Sequence, residues 1–185
     1  MVVFGMGCGV DILMGTFTKS FSGMGGYIAA SAEVIRFLKA NASGVLYHNA
    51  MAPTICQQVI TAFKVIMGLD GTGVGAAKLN ALRENSNFFR SEMKRIGLHV
   101  VGDDDSPIVP VMIYAPGKIC AFSRECLARG LAVVVVGFPA VSILTARSRF
   151  CVSAGHTREQ IVQAVKIIEE VAERINLRYE HSFLG

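Results

Sequence analysis

Two short apolar runs, separated by a polar and glycine-rich stretch, stand near the start of the chain. Ile12–Met14, followed by Gly15, reads as a short buried strand, and Gly25–Ala30 as a second. From Ser31 the spacing turns helical. Val34, Phe37 and Leu38 fall on one face, and Ser31 is placed to cap the first turn. Pro53 opens another helix that runs to Met67 and stops in the glycine-rich stretch Gly68–Gly75. Beyond it Leu79, Leu82, Phe89, Met93 and Ile96 recur at helical spacing, with Gly97 as the stop of a long amphipathic helix.

After Gly97 the pattern becomes strand-rich. Leu98–Val101, Ile108–Tyr114, Leu131–Val136 and Phe150–Ser153 read as strands, alternating with helices at about Lys118–Arg129 and Thr157–Asn176. Thr157, with Gln160 three positions on, is a capping-box start for the last helix. The arrangement predicts an α+β module of roughly four strands with two helices over one face. A boundary is expected near residue 90, inside or just after the long helix, giving parts at 1–90 and 91–185.

Composition narrows the function classes. Apolar residues make up 52% of the 185 and charged ones 17%, so the chain can bury a core and is not a disordered tail. Eighteen basic against fourteen acidic side chains leave +4, too small and scattered an excess for a nucleic-acid binder. Trp is absent, which also weakens any base-stacking role. Cys8, Cys56, Cys120, Cys126 and Cys151 form no C-x-x-C pair, and none stands near a histidine at zinc-finger spacing. They read as reduced thiols, with no metal site expected. No run approaches the ~18 apolar residues of a membrane span. The apolar start lacks the basic leader of a signal peptide.

Two glycine clusters carry little. Gly5, Gly7 and Gly9 follow a strand-like Val2–Phe4, but the third glycine of a dinucleotide turn would fall at Val10, and strand follows where a helix is needed. No strand precedes Gly71, Gly73 and Gly75. The acidic run Asp103–Asp105 has no spaced partner and precedes Ser106–Pro107, as a solvated turn does.

Gly15-Thr-Phe-Thr-Lys-Ser-Phe-Ser-Gly23 is different. It sets a lone lysine, Lys19, among hydroxyls and glycines between two small apolar strands. A lysine enclosed there is costly as an ammonium, and desolvation would leave a nucleophilic amine able to form an imine with an aldehyde. The hydroxyls of Thr16 and Thr18, with backbone N–H groups freed by glycine, suit a phosphate monoester. An amine beside a phosphate cradle is the arrangement of pyridoxal phosphate enzymes. The alternative from the residues alone is a loop lysine that points to solvent.

The stretch from Asp11 through Gly25-Gly26-Tyr27, with G-T-F-T-K-S-F at its centre, resembles the cofactor-lysine segment of the α-oxoamine synthases, fold-type-I pyridoxal phosphate enzymes. Within that family it is similar to the lysine-bearing catalytic subunits that act on L-serine. Met51-Ala-Pro, Asp104-Asp-Ser-Pro-Ile-Val-Pro, Val133-Val-Val-Val-Gly-Phe-Pro-Ala and Ala146-Arg-Ser-Arg-Phe-Cys-Val-Ser-Ala-Gly-His-Thr extend the likeness to about Tyr179.

The resemblance implies an α/β fold: the C-terminal part of an aspartate-aminotransferase-like large domain, then a small α+β domain. It implies pyridoxal 5'-phosphate as cofactor, held by Lys19, Thr16 and Thr18. Lys19 would also move the substrate Cα proton, and Arg149 would hold a substrate or product carboxylate. Two residues before it, Arg147 points to the same strand face and reads as structural, and His156 as support for the last helix's cap. The implied reaction condenses L-serine with a long-chain acyl-CoA, with loss of carbon dioxide, to a 3-keto long-chain base of sphingolipid synthesis. Implied partners are a lysine-free homologous subunit or a second copy. The implied location is the cytosolic face of the endoplasmic reticulum membrane, reached through a preceding segment or a partner, and otherwise the cytoplasm.

Departures from the family are specific. The Asp-Glu-Ala-His stretch set upstream of the lysine, for the pyridine nitrogen and ring, has no counterpart: only Asp11 precedes Lys19 as an acid, and the first histidine is His48. An N-terminally truncated chain, weakly active or inactive alone, is the expectation. Tyr47-His48-Asn49 replaces hydroxyl-bearing residues, Ser22 stands for glycine, and Ser142 for proline. Two other readings stay open: a non-catalytic subunit acting by binding partners, and a sibling synthase using glycine or alanine with another acyl-CoA.

Overall fold

The computed structural model describes residues 9–178. Cys8 and the Val2–Gly7 part of the glycine pattern lie outside the described residues. The chain divides into two compact units, one ending at Gly75 and the other starting at Ala76.

The first unit holds an antiparallel pair, β1 (Ile12–Thr16) and β2 (Gly26–Ala30), registered from Ile12 opposite Ala30 to Thr16 opposite Gly26. Then come α1 (Ala32–Asn41), the single turn α2 (Ser43–Leu46) and α3 (Pro53–Ile66). Local chemistry sets the helix starts. The Ser31 hydroxyl accepts from the Val34 N–H at the head of α1, and Pro53 occupies the first turn of α3, where its missing N–H costs nothing. Packing in this unit is thin. Up to Gly75, only Phe17 and Val59 are buried apolar side chains among the described residues, while Met14 and Phe37 are 71% and 66% exposed.

The helix α4 (Val74–Arg95) starts two residues before the second unit, and β3 (Ile108–Tyr114), α5 (Pro116–Ala128), β4 (Val134–Val136), a short 3-10 turn, β5 (Ala146–Cys151) and α6 (Arg158–Arg174) follow it there. The sheet is antiparallel in the order β3-β5-β4. Alternation along β3 sends Val109, Val111 and Ile113 into one core with Phe89 and Met93 of α4, Phe122 and Cys126 of α5, and Ile161, Val165 and Ile168 of α6. Each such apolar side chain contributes about 1.5–3 kcal/mol when fully buried. The capping box is formed in full: the Thr157 hydroxyl accepts from Gln160 N–H, and the Gln160 side chain accepts from Thr157 N–H.

The strand content differs from the pattern in three places, one of them Leu131–Val136, where only Val134–Val136 pairs. Leu98–Val101 contributes a single bridge, Val100 opposite Val111, because Gly102 turns the backbone away at φ +89° and the Arg90 guanidinium binds the Val101 and Gly102 carbonyls. The Phe150–Ser153 run starts earlier, at Ala146, where antiparallel pairing with β3 recruits Arg147 to Arg149 into the ladder. No described helix is long and apolar enough to cross a membrane.

Candidate active site

The β1–β2 connection is built around aromatic anchors. Phe17 is buried and meets Phe21 edge-to-face at 5.6 Å, Tyr27 at 5.6 Å and Phe63 of α3 at 6.3 Å, and Phe21 lies 4.8 Å from Phe63. Backbone bonds close the loop: Phe17 N–H donates to Gly25 C=O at 2.9 Å, and Gly23 N–H to Phe17 C=O at 2.9 Å. Gln58 Nε2 on α3 donates to the Phe21 carbonyl at 3.0 Å. A β-carbon at Gly26 would fall against the Gly15 carbonyl oxygen, so the two strands meet here only because this position has no side chain.

Phe17 and Phe21 take the inward side of this loop, and the residues between them turn outward. Thr18, Lys19 and Ser20 are exposed. The residues alone left two settings for Lys19, an apolar enclosure or a loop open to solvent. The structure has the second: Lys19 stands at a turn closed by Ser22 N–H donating to the Lys19 carbonyl at 3.1 Å, with the apolar packing under its neighbours and not under its own side chain. Its amine has no side-chain partner among the described residues. Ser22 holds φ +49°, the left-handed conformation that glycine, the residue usual here in the resembled family, adopts without a β-carbon penalty.

The two predicted threonines come together. Thr16 Oγ1 lies 2.9 Å from Thr18 Oγ1 and accepts from the Thr18 N–H at 3.2 Å. Two hydroxyls and a primary amine thus stand on four successive residues, Thr16 to Lys19. Hydroxyl donors suit a phosphate monoester and an exposed primary amine suits an aldehyde, so this donor set fits pyridoxal phosphate.

Arg149 belongs to the second unit, on the central strand β5 between Pro110 and Val134. Its side chain and that of half-buried Arg147 share the face opposite buried Ser148, whose hydroxyl donates to the Val134 carbonyl at 3.2 Å. Arg149 is exposed and makes no ion pair among the described residues, which leaves its planar donor fork open to a carboxylate. His156 is occupied locally: its Nδ1 accepts from Ser153 N–H at 3.2 Å, and its carbonyl accepts from Asn85 Nδ2 at 2.9 Å. The acidic turn is tied down as well, with Asp105 held below the usual carboxylate range by Asn87 and then Arg83. Burial pushes the Cys126 thiol up to about 11, so it is no ready nucleophile. No group of three potential metal ligands occurs among the described residues.

The family model for aminotransferase class I and II matches residues 2–168. The chain belongs to that family. Among the chain's relatives, long chain base biosynthesis protein 2a of Oryza sativa subsp. japonica is 55% identical over 170 residues, 92% of this chain and 35% of that protein. Serine palmitoyltransferase 2 of Dictyostelium discoideum is 45% identical, again over 92% of this chain and 35% of the relative. Serine palmitoyltransferase 3 of Homo sapiens is 42% identical, over 92% of this chain and 31% of that protein. The chain thus spans about a third of the length of these curated relatives. Among solved structures, a serine palmitoyltransferase carrying pyridoxal phosphate superposes with a TM-score of 0.80 at 21% identity, covering 91% of this chain and 41% of that one. The Sphingomonas wittichii enzyme gives 0.77 at 20% identity, over 92% and 41%. At those identities the superpositions establish the fold, and it is the one the lysine-loop resemblance implied.

Sequence reasoning missed the break between β4 and β5. Leu131–Val136 reads as one strand, but only Val134–Val136 pairs, and no local signal marks the point where pairing stops.

Proposed function

We propose that this chain carries the lysine half of a serine palmitoyltransferase site, condensing L-serine with a long-chain acyl-CoA to a 3-keto long-chain base. The observation that carries the reading is the Thr16–Thr18 hydroxyl pair beside the exposed Lys19 amine, in a chain 55% identical to a long chain base biosynthesis protein.

Pyridoxal phosphate, when bound, supplies an aldehyde for amine attachment and a cationic ring that delocalises negative charge at the substrate α-carbon. Thr16 and Thr18 would donate to its phosphate, and Lys19 Nζ would hold its aldehyde carbon. The Lys19 amine would also take the proton from the serine Cα and return one. Arg149 grips the serine carboxylate with two parallel N–H donors, fixing which Cα bond is aligned for cleavage. In the balanced reaction, Cα bonds to the thioester carbonyl, the CoA thiol leaves, the carboxylate departs as carbon dioxide and a proton replaces it.

As partner we assign a lysine-free homologous subunit or a second copy. The exposed Met14, Ile28 and Phe37 of the first unit support this, since large apolar side chains left in water gain by burial against a partner. The location we assign is the cytosolic face of the endoplasmic reticulum membrane, to be checked by cell fractionation.

The direct test is borohydride reduction of the purified chain with pyridoxal phosphate, followed by peptide mass spectrometry. The cofactor should be fixed on Lys19 and absent from that peptide in Lys19→Ala. Labelling spread over other lysines, unchanged in the variant, would overturn the reading.

A further inference from the structure

Pairing between β4 and β5 ends at Val134 opposite Arg149. Beyond that point Leu131–Val133 and Phe150–Val152 run on without a ladder between them, and a cavity of about 440 Å³ opens in the gap. That volume falls within the ~300–1,000 Å³ typical of small-molecule sites. Its floor is mostly apolar: Phe89 and Ile161 are each 4% exposed, with Phe150, Leu131 and Ala164 beside them, while His156 and Gln160, which also line it, are tied to the Ser153 and Thr157 N–H groups. Arg149 is the one charged residue lining it, and no carboxylate does. Arg149 and Phe150 are successive on β5 and face opposite sides of the sheet, yet both line the cavity. It therefore passes the free end of β4 from the core side to the side of the arginine.

We propose that this cavity takes the straight alkyl chain of the acyl donor, with the polar end left outside beside Arg149. The assignment rests on the acyl-transfer reading above and adds where the hydrocarbon goes. A polar headgroup on the floor would lose its water and find no replacement partner among Phe89, Ile161 and Ala164. A methylene chain loses nothing there and gains apolar burial. A lone guanidinium at the rim, with no acid near it, favours an anionic or neutral end at the mouth and repels a cationic amphiphile. The same Arg149 is the proposed contact for the amino-acid carboxylate, so one residue borders both substrate regions.

The test is displacement of a dansyl-labelled undecanoic acid from the purified chain by straight alkanoates from hexanoate to hexadecanoate. Affinity should rise about fourfold per added methylene and level off once the cavity is full. Ala164→Phe, which fills the wall, should weaken binding of the longest alkanoate by about tenfold or more. Ala132→Phe, at an exposed lining position where folding is not at stake, should do the same. An affinity indifferent to chain length, or both variants binding like the parent, overturns the proposal. Running the series on Lys19→Ala separates it from the reading beneath it. Cofactor attachment should be lost there while the chain-length series persists, so either result can fail without the other.

Discussion

The hydroxyl oxygens of Thr16 and Thr18 stand 2.9 Å apart, at the end of β1 and one residue short of Lys19. Residues two apart on a continuing strand would point the same way but lie further apart; here the chain leaves the strand after Thr16, and the Thr18 N–H folds back onto Thr16 Oγ1. If that pair cradles a phosphate, each hydroxyl makes a hydrogen bond to a charged group, an interaction of about 1.5–3 kcal/mol. Thr16→Val and Thr18→Val should each weaken retention of pyridoxal phosphate by roughly ten- to a hundredfold. Equilibrium dialysis against the free cofactor measures this. Tight retention by the double variant would exclude the cradle.

Gly26 answers for the fold of the same loop. A methyl group there meets the Gly15 carbonyl, a backbone atom that cannot swing aside. Gly26→Ala should therefore destabilise the chain by about 1–3 kcal/mol. Lys19→Ala, at an exposed turn position, should stay within about 0.5 kcal/mol of the parent. Urea midpoints of the two variants give the comparison.

Arg90 is 2% exposed and donates to three carbonyls, those of Val101 at 3.1 Å, Gly102 at 3.4 Å and Ile108 at 3.3 Å. The guanidinium holds both ends of the acidic turn. Arg90→Ala removes the donors and leaves the carbonyls without them, at a cost of about 3 kcal/mol. A fall in the thermal midpoint, together with faster amide exchange across residues 101–108, is the expected result. An unchanged exchange rate there would separate Arg90 from the turn.

The Cys126 thiol sets a high-pH limit. Burial raises its folded value to about 11 from an ordinary 9.0, so the folded chain keeps the proton after the unfolded chain has released it. The stability tied to this group is complete below pH 9 and declines as the pH rises from about 9 toward 11. Cys126→Ala should flatten that decline in denaturation curves taken across the window. Under native conditions iodoacetamide should reach exposed Cys120 and Cys151 well before Cys126.

What was readable from the sequence is what nearby residues settle among themselves. Ser31, Pro53 and the Thr157–Gln160 box start their helices through contacts spanning three or four positions, and all three do so in the structure. The Thr-Phe-Thr-Lys segment was legible for the same reason, since its hydroxyls and amine are within four residues of one another. Packing across longer separations decided the rest. Phe63, more than forty residues along the chain from Phe17 and Phe21, helps hold those rings inward, and that leaves Lys19 exposed where the apolar flanks alone suggested enclosure. Arg90 is charged and lies on an amphipathic helix, so pattern alone puts it in solvent; three carbonyls from a distant turn keep it buried. The cavity beside Arg149 exists because an apolar run stops pairing partway along its length. Hydrophobic periodicity shows which side chains seek burial, whereas the end of a ladder depends on where the partner strand and the helices beneath it can still be met.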